Sequence, residues 1–432
     1  MPQKRSCSQS PNPSRGRGRW LALLIAGSML FGMGMAFWLS GRVAPEGTDP
    51  NQQPVWTMAR VSVLIVAGAI FAAIALLQFH RASPTRDEPK PSAPLDDIEP
   101  THSTWQPAIV VVGGGHGLST LLRGLKAYTT HLTGIVTVAD DGGSSGALRR
   151  GTGMLPPGDL RRCIAALSEA EPLLTQLFEY RFGGGAGLDG HAFGNLFIAA
   201  LAQLTGDFVS GVAAASRVLA VNGRILPSSL DNVALWAEVE SDDGPALLQG
   251  QSRIARSSGR VERVYLRPQD AKGYPDAVQA LLQADMIVLG PGSLYTSILP
   301  NLLVEEIRAA IGASSALKVY VCNVATQPGE TDGYDVRDHV HALEEHLGAG
   351  FCDCVLANGQ FEVALPNAAS QLVPLGQGEL PECRLILGDL VDRQRPWRHD
   401  ADKLAQTLLS LGQEHRTQTQ RVNPDAPGES IG

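Results

Sequence analysis

Two stretches near the N-terminus stand apart from the mixed apolar and polar pattern of the rest of the chain. Residues 20–39 and 61–79 carry no charged side chain, and each is long enough to cross a hydrocarbon core as a helix. Lys4, Arg5, Arg15, Arg17 and Arg19 precede the first stretch, and Arg81, Arg86 and Lys90 follow the second. The loop between them has Arg42 and Arg60 beside Glu46 and Asp49. The positive-inside rule then keeps both ends in the cytoplasm and residues 41–59 outside, with Trp20, Trp38 and Trp56 at interface depth. Neither stretch holds an acid or base that could relay an ion, so residues 1–81 read as an anchor rather than a transport path. A cleaved signal peptide is the competing reading of the first stretch; its length and the lack of a small-residue cleavage site speak against it. Residues 82–107 hold six prolines among Ser, Asp and Glu and read as a linker.

From residue 108 the pattern alternates short apolar runs with amphipathic segments. It predicts strands at 108–112, 134–139, 233–239, 261–266, 285–290, 317–323, 352–357 and 383–387. It predicts helices at 118–128, 159–169, 171–180, 193–204, 207–220, 274–283, 301–311, 336–347 and 400–411. Continuous rather than alternating apolar strands suit a parallel sheet buried on both faces. The expected fold class is therefore α/β: a doubly wound, mostly parallel, Rossmann-like sheet over residues 108–413, followed by a polar tail at 414–432. Ligands of such sheets bind outside the carboxyl ends of the strands, which gives the loops after strands the most weight.

Composition narrows the class. With 44% hydrophobic residues and 47 glycines in 432 residues, the chain is neither disordered nor a coiled coil. A net charge of −8 argues against nucleic acid as the main partner. Six scattered cysteines form no disulfide framework and suit a reducing compartment, and Cys352 and Cys354 are expected to share one face of a strand and pack there.

Several loops carry candidate chemistry. The run Gly113, Gly114, Gly115, His116, Gly117 joins a strand to a helix and can aim backbone N–H groups at a phosphate. Asp140 and Asp141 end the next strand, where paired carboxylates suit Mg²⁺ or a sugar hydroxyl. Gly142, Ser144 and Ser145 follow as a flexible run of amide and hydroxyl donors. Asp159 opens a helix as a cap, with Arg161 and Arg162 in a first turn where cations oppose the helix dipole and hint at a nearby anion. His191 and Asn195 precede an apolar helix, as an acid or base and as a ligand contact or cap. The segment Gly290-Pro-Gly292-Ser293, with Tyr295 and Thr296, is a second anion nest after a strand, and Asn323 ends a further strand. Two nests on one sheet suggest a ligand with two recognisable parts, such as a nucleotide diphosphate sugar. The three histidines at 339, 341 and 346 fit no zinc spacing.

Taken together, "VVVGGGHGLSTLLRGLK", "TVADDGGSSG", "PPGDLRR", "GHAFGNLF", "GPGSLYTSILPNLL" and "NVATQPGETDGY" resemble the gluconeogenesis-factor (YvcK-type) proteins of the CofD-like superfamily, which includes 2-phospho-L-lactate transferase. The resemblance spans about residues 108–411. It implies a Rossmann-like fold, binding of UDP-N-acetylglucosamine, and a role in growth on gluconeogenic carbon sources and in cell shape, with no established reaction for this branch. For the transferase branch it implies Mg²⁺ and substrate held at positions matching Asp140, Asp141 and Asp159, with the nucleotide side at 113–117 and 290–297. The expectation is thus a nucleotide-sugar-binding regulatory protein, free to form a homo-oligomer and anchored to the cytoplasmic face of the inner membrane. The rival is a Mg²⁺-dependent transferase of a phospho-organic acid or nucleotidyl group.

Overall fold

The computed structural model describes residues 105–422 apart from 171, 185–186, 242, 364, 366–369 and 378–382. The two charge-free stretches at 20–39 and 61–79, and the linker up to residue 104, lie outside the described residues.

The chain begins with β1 (Ile109–Gly113), α1 (Gly115–Leu125), β2 (Leu132–Val136), α2 (Gly143–Thr152), α3 (Gly158–Leu167), α4 (Pro172–Glu179), α5 (Phe193–Thr205), α6 (Phe208–Val218) and β3 (Arg224–Pro227). An antiparallel excursion follows: β4 (Ala234–Ser241), β5 (Gly244–Gln249), the single turn α7 (Gln251–Ile254) and β6 (Arg260–Arg267). The chain then returns through α8 (Pro275–Leu282) and β7 (Met286–Leu289) to a π-helical turn (Leu294–Ile298) that runs into α9 (Leu299–Leu302). The remainder is α10 (Glu305–Ala313), β8 (Leu317–Val321), α11 (Val336–Leu347), β9 (Cys354–Asn358), β10 (Arg384–Gly388) and α12 (Ala401–Val422).

Seven strands form one sheet in the order β10-β9-β8-β7-β1-β2-β3, and every pairing in it is parallel. The expected α/β class is therefore met. Side chains alternate across the sheet, as period two demands. Ile109 and Val111 of β1 face a core shared with α1, α3, α6 and α12. Val110 and Val112 face the opposite core, shared with α8, α10, α11 and the three-stranded sheet. The chain leaves β1 toward β2 and β3, comes back at β7, and then proceeds away through β8 to β10. The strand order thus reverses between β1 and β7, and the carboxyl ends of these two neighbours open a crevice.

Several elements depart from the periodicity. α1 begins at Gly115, so His116 and Gly117 stand in its first turn rather than in a loop. The Gly-Ser run after Asp141 is not a flexible loop but the first turn of α2, with Ser144 and Ser145 buried. Burial of two hydrogen-bonding serines outweighed their weak helix propensity. β3 and β5 were not anticipated: β3 is four residues long, and most of β5 is exposed and lacks an alternating pattern. α12 runs on to Val422, past residue 413, and its polar end stacks Arg416 on Trp105 with 5.7 Å from the guanidinium to the ring. Cys354 packs with the α1 and α12 core, but Cys352 precedes β9 and packs into the opposite one, so the two do not share a face. No single described helix is long and apolar enough to cross a membrane; α5 and α6 reach that length and composition only as a pair bent by 120°.

Candidate functional site

The turn after β1 and the turn after β7 touch. A Cβ on Gly117 would collide with the Pro291 carbonyl, so only glycine lets the first turn of α1 lie against the second turn. A Cβ on Gly114 would sit 2.8 Å from Asp159 Oδ2 and 3.0 Å from Thr137 Cγ2. Gly115 has φ +62°, a left-handed backbone that glycine adopts without strain. Its N–H donates to Asp159 Oδ2 at 2.8 Å. Asn301, fully buried in α9, donates its Nδ2 to the Gly113 carbonyl (2.9 Å) and to the Ser297 carbonyl (2.7 Å), bracing one turn against the other. From the far side, Asn323 Nδ2 donates to the Gly292 carbonyl (2.9 Å) and Gln327 Nε2 to Ser293 Oγ (2.9 Å).

Between these turns lies a cavity of about 410 Å³. Gly114, Gly115, His116, Gly117, Asp140, Asp159, Gly292, Ser293 and Asn323, all anticipated from the sequence, line it. Other anticipated residues point elsewhere. Gly113 completes β1. Asp141 turns away, with its Oδ1 accepting the Ser252 N–H at 2.9 Å. Gly142 serves to tether its neighbour, its N–H donating to Asp140 Oδ1 at 2.9 Å. Ser144 Oγ accepts from Asn195 Nδ2 (3.0 Å) and the Ala192 N–H (3.3 Å) and lies 3.2 Å from His191 Nδ1, which ties α2 to α5. Ser145 is buried with its hydroxyl on Asp140. Tyr295 is buried against Tyr334, with the two hydroxyls 2.8 Å apart. Thr296 gives its hydroxyl to Glu330 Oε1 at 2.7 Å.

Sequence reasoning missed Gln251, Trp397, Arg398 and His399, which also line the cavity. The last three sit in the loop after β10, another strand end on the same rim, so the strand-end rule applied fully would have found them. Arg398 is half-buried, and its guanidinium has no hydrogen bond or ion pair among the described residues. Arg162 is paired with Asp159. Burial first, then the Arg162 and Arg398 charges, pull the His116 imidazole below its ordinary pKa. Burial lowers His399 to about 4, against the Cys322 backbone, which raises it. Burial and the nearby Asp159 raise the Asp140 carboxyl, against the Gly142 N–H, Ser145 and Arg162.

The donor set decides what the cavity can hold. Helix-start amides, an unpaired guanidinium and two neutral imidazoles suit an anion with hydrogen-bonding oxygens. No group of three His, Cys, Asp or Glu side chains gathers into a metal cage among the described residues. Asp140 and Asp159 both line the cavity and are the residues that would hold a divalent cation there, where it would supply charge screening for phosphate oxygens.

Glu330, beside this cavity, is buried and pushed up to about 7; burial outweighs the Thr296 hydroxyl and the N–H groups of Tyr295 and Thr296. Its proton is held more tightly in the folded than in the unfolded chain. The stability it contributes is therefore complete below about pH 4.5 and is lost as pH rises to about 7, amounting to about 3 kcal/mol. Glu330→Gln, which fixes the neutral form, is expected to gain stability over the native chain between pH 4 and pH 8 by about that much. Urea unfolding at the two pH values measures it; equal pH slopes for both proteins would contradict the assignment.

The family profile described as 2-phospho-L-lactate transferase CofD matches residues 109–408. The gluconeogenesis factor of Halalkalibacterium halodurans is 46% identical over 314 residues, covering 70% of this chain and 95% of its own. That of Bacillus subtilis is 50% identical over 255 residues, 59% of this chain and 80% of its own. The X-ray structure of a Bacillus halodurans protein superposes with a TM-score of 0.67 at 45% identity, over 71% of this chain and 100% of that one.

Proposed function

Since this chain belongs to the CofD family, among the gluconeogenesis factors, we propose that it is a regulatory protein that binds UDP-N-acetylglucosamine. The observation that carries the reading is the contact of two glycine turns at the point where the sheet reverses, beside an unpaired arginine. Amides at the start of α1 and the Arg398 guanidinium grip a diphosphate; Arg162, paired with Asp159, adds positive charge. The ligand then reports nucleotide-sugar supply, linking carbon flux on gluconeogenic substrates to cell shape. The N-terminal stretches 20–39 and 61–79 tether the protein to a lipid bilayer with the α/β unit on the cytoplasmic side. Nucleic acid is not a partner on this reading.

Calorimetric titration of the full chain with UDP-N-acetylglucosamine tests the proposal. Saturable heat is expected, with a rise in melting temperature, because ligand at about a hundred times Kd adds about 2.7 kcal/mol of stability. No heat and no thermal shift would contradict it.

The facing carboxylates of Asp140 and Asp159 favour one second reading, a Mg²⁺-dependent transferase of a phosphorus-containing group. Mg²⁺ bound by both would screen phosphate charge, and Asp141 would take no part. Turnover of a nucleotide-linked donor that is lost in Asp140→Asn would support this reading. Absence of turnover across a donor panel, with binding intact, would exclude it.

A further inference from the structure

Beside the main cavity lies a second chamber of about 350 Å³. The two share Gln251, Ser293, Ala325, Gln327 and Trp397, so they lie side by side. We propose that this chamber is the subsite for a sugar-like, hydroxyl- and amide-bearing end of the ligand, with Glu330 and Gln251 accepting its hydrogen bonds. The proposal rests on the nucleotide-sugar reading above and adds which atoms read the sugar.

The unmet hydrogen bonds of the chamber point to that chemistry. Glu330 is 5% exposed; its Oε1 takes the Thr296 hydroxyl at 2.7 Å, and its Oε2 has no partner. Gln251 Oε1 is likewise buried and without a partner. Two of the neighbouring polar groups are engaged within the chain. Gln327 Nε2 holds Ser293 Oγ at 2.9 Å. Thr326 exchanges hydrogen bonds with the backbone of Gln371, at 2.8 Å from its own N–H and 3.0 Å to its hydroxyl. The buried polar atoms of the chamber left without a partner are both acceptors, Glu330 Oε2 and Gln251 Oε1. Buried polar atoms in folded proteins almost always find partners, so a missing donor is supplied from outside. Hydroxyl and amide N–H groups are such donors.

The same pair excludes the alternative placement. A phosphate turned into this chamber would face the Glu330 carboxyl and the Gln251 carbonyl, with no cation among the lining residues. In the main cavity it meets the unpaired Arg398 and the α1 amides, beside Asp140 and an Asp159 that Arg162 neutralises. Charge thus assigns the diphosphate to the main cavity and the neutral, donor-rich moiety to the chamber. Trp397 stands at the shared mouth with 43% of its surface exposed, offering a flat apolar face to the sugar ring. Burial raises the Glu330 carboxyl to about 7, so Oε2 accepts as a carboxylate oxygen above that pH and, once protonated below it, donates instead.

The test is a comparison of affinities of the purified full chain for UDP-N-acetylglucosamine and for UDP. The native protein is expected to prefer the sugar nucleotide by about 30-fold, and Glu330→Ala to cut that preference by about tenfold, the loss falling on the sugar nucleotide rather than on UDP. Gln251→Ala is expected to do the same and carries the test if Glu330→Ala does not fold. Retention of the full preference in both variants overturns the proposal. So does an equal loss for both ligands, which would mean that these residues act by supporting the turn after β7. Equal native affinities for the two ligands overturn this inference alone, whereas failure of the native chain to bind either one removes the nucleotide-sugar reading beneath it.

Discussion

Gly117→Val is expected to abolish nucleotide binding and to destabilise the protein by about 3 kcal/mol, because the added side chain has no room at the meeting of the two turns. The atom it would strike is the backbone carbonyl of Pro291, held by the chain on both sides, with no side chain that can swing away. Relief requires the turns to part, and parting them widens the space in which the diphosphate is gripped. A control separates this effect from glycine replacement in general. At Gly312 in α10 an added Cβ would meet nothing within 4 Å, so Gly312→Ala is expected to stabilise by up to about 1 kcal/mol and to leave binding unaltered. Calorimetry and thermal melts on both variants measure the contrast; native-like affinity in Gly117→Val would show that contact between the turns is not required.

Arg398→Ala is expected to weaken binding about 100-fold, the equivalent of about 2–3 kcal/mol for a charge-assisted hydrogen bond to phosphate. Folding should be little affected, since the guanidinium has no hydrogen bond or ion pair within the described chain to lose. Arg162 differs in kind. It neutralises Asp159, which in turn fixes the Gly115 N–H, so its removal leaves a buried carboxylate without its cation. Arg162→Ala should therefore lower stability and affinity together, whereas Arg398→Ala lowers affinity alone. An affinity in Arg398→Ala within threefold of native would remove that side chain from the ligand's contacts.

Much of this site is legible in the sequence because the strands that carry it are buried on both faces. IVVVG at β1 and MIVL at β7 are continuous apolar runs, and each is followed at once by glycine. Those two features place both turns at strand ends. Adjacency of the strands is a different matter. β1 and β7 are separated by more than 170 residues, and only the sheet order shows that they are neighbours. The same limit explains Asp141 and Asp140. Adjacent carboxylates at a strand end look equivalent in sequence, yet one tethers to Ser252 and the other lines the cavity. Tyr295 and Thr296 lie outside the main cavity for another reason, Thr296 lining the second chamber instead. Beyond Ser293 the backbone coils into a π-helical turn, which carries Tyr295 into the core and Thr296 toward Glu330. Glu330 lies in a polar loop and has the composition of a solvated turn; its burial comes from packing against the turn after β7, which no local pattern encodes. Ser144 and Asn195, both read as ligand contacts, find each other instead because α2 and α5 pack side by side.

The central claim is that one anion is held jointly by the turn after β1 and the turn after β7. A crystal structure of the protein grown with UDP-N-acetylglucosamine tests it most directly. The account predicts diphosphate oxygens within about 3 Å of the backbone N–H groups of His116 and Gly117 and of the Arg398 guanidinium, with the sugar lying toward Glu330. A nucleotide bound away from the β1 and β7 carboxyl ends, with both turns untouched, would contradict it.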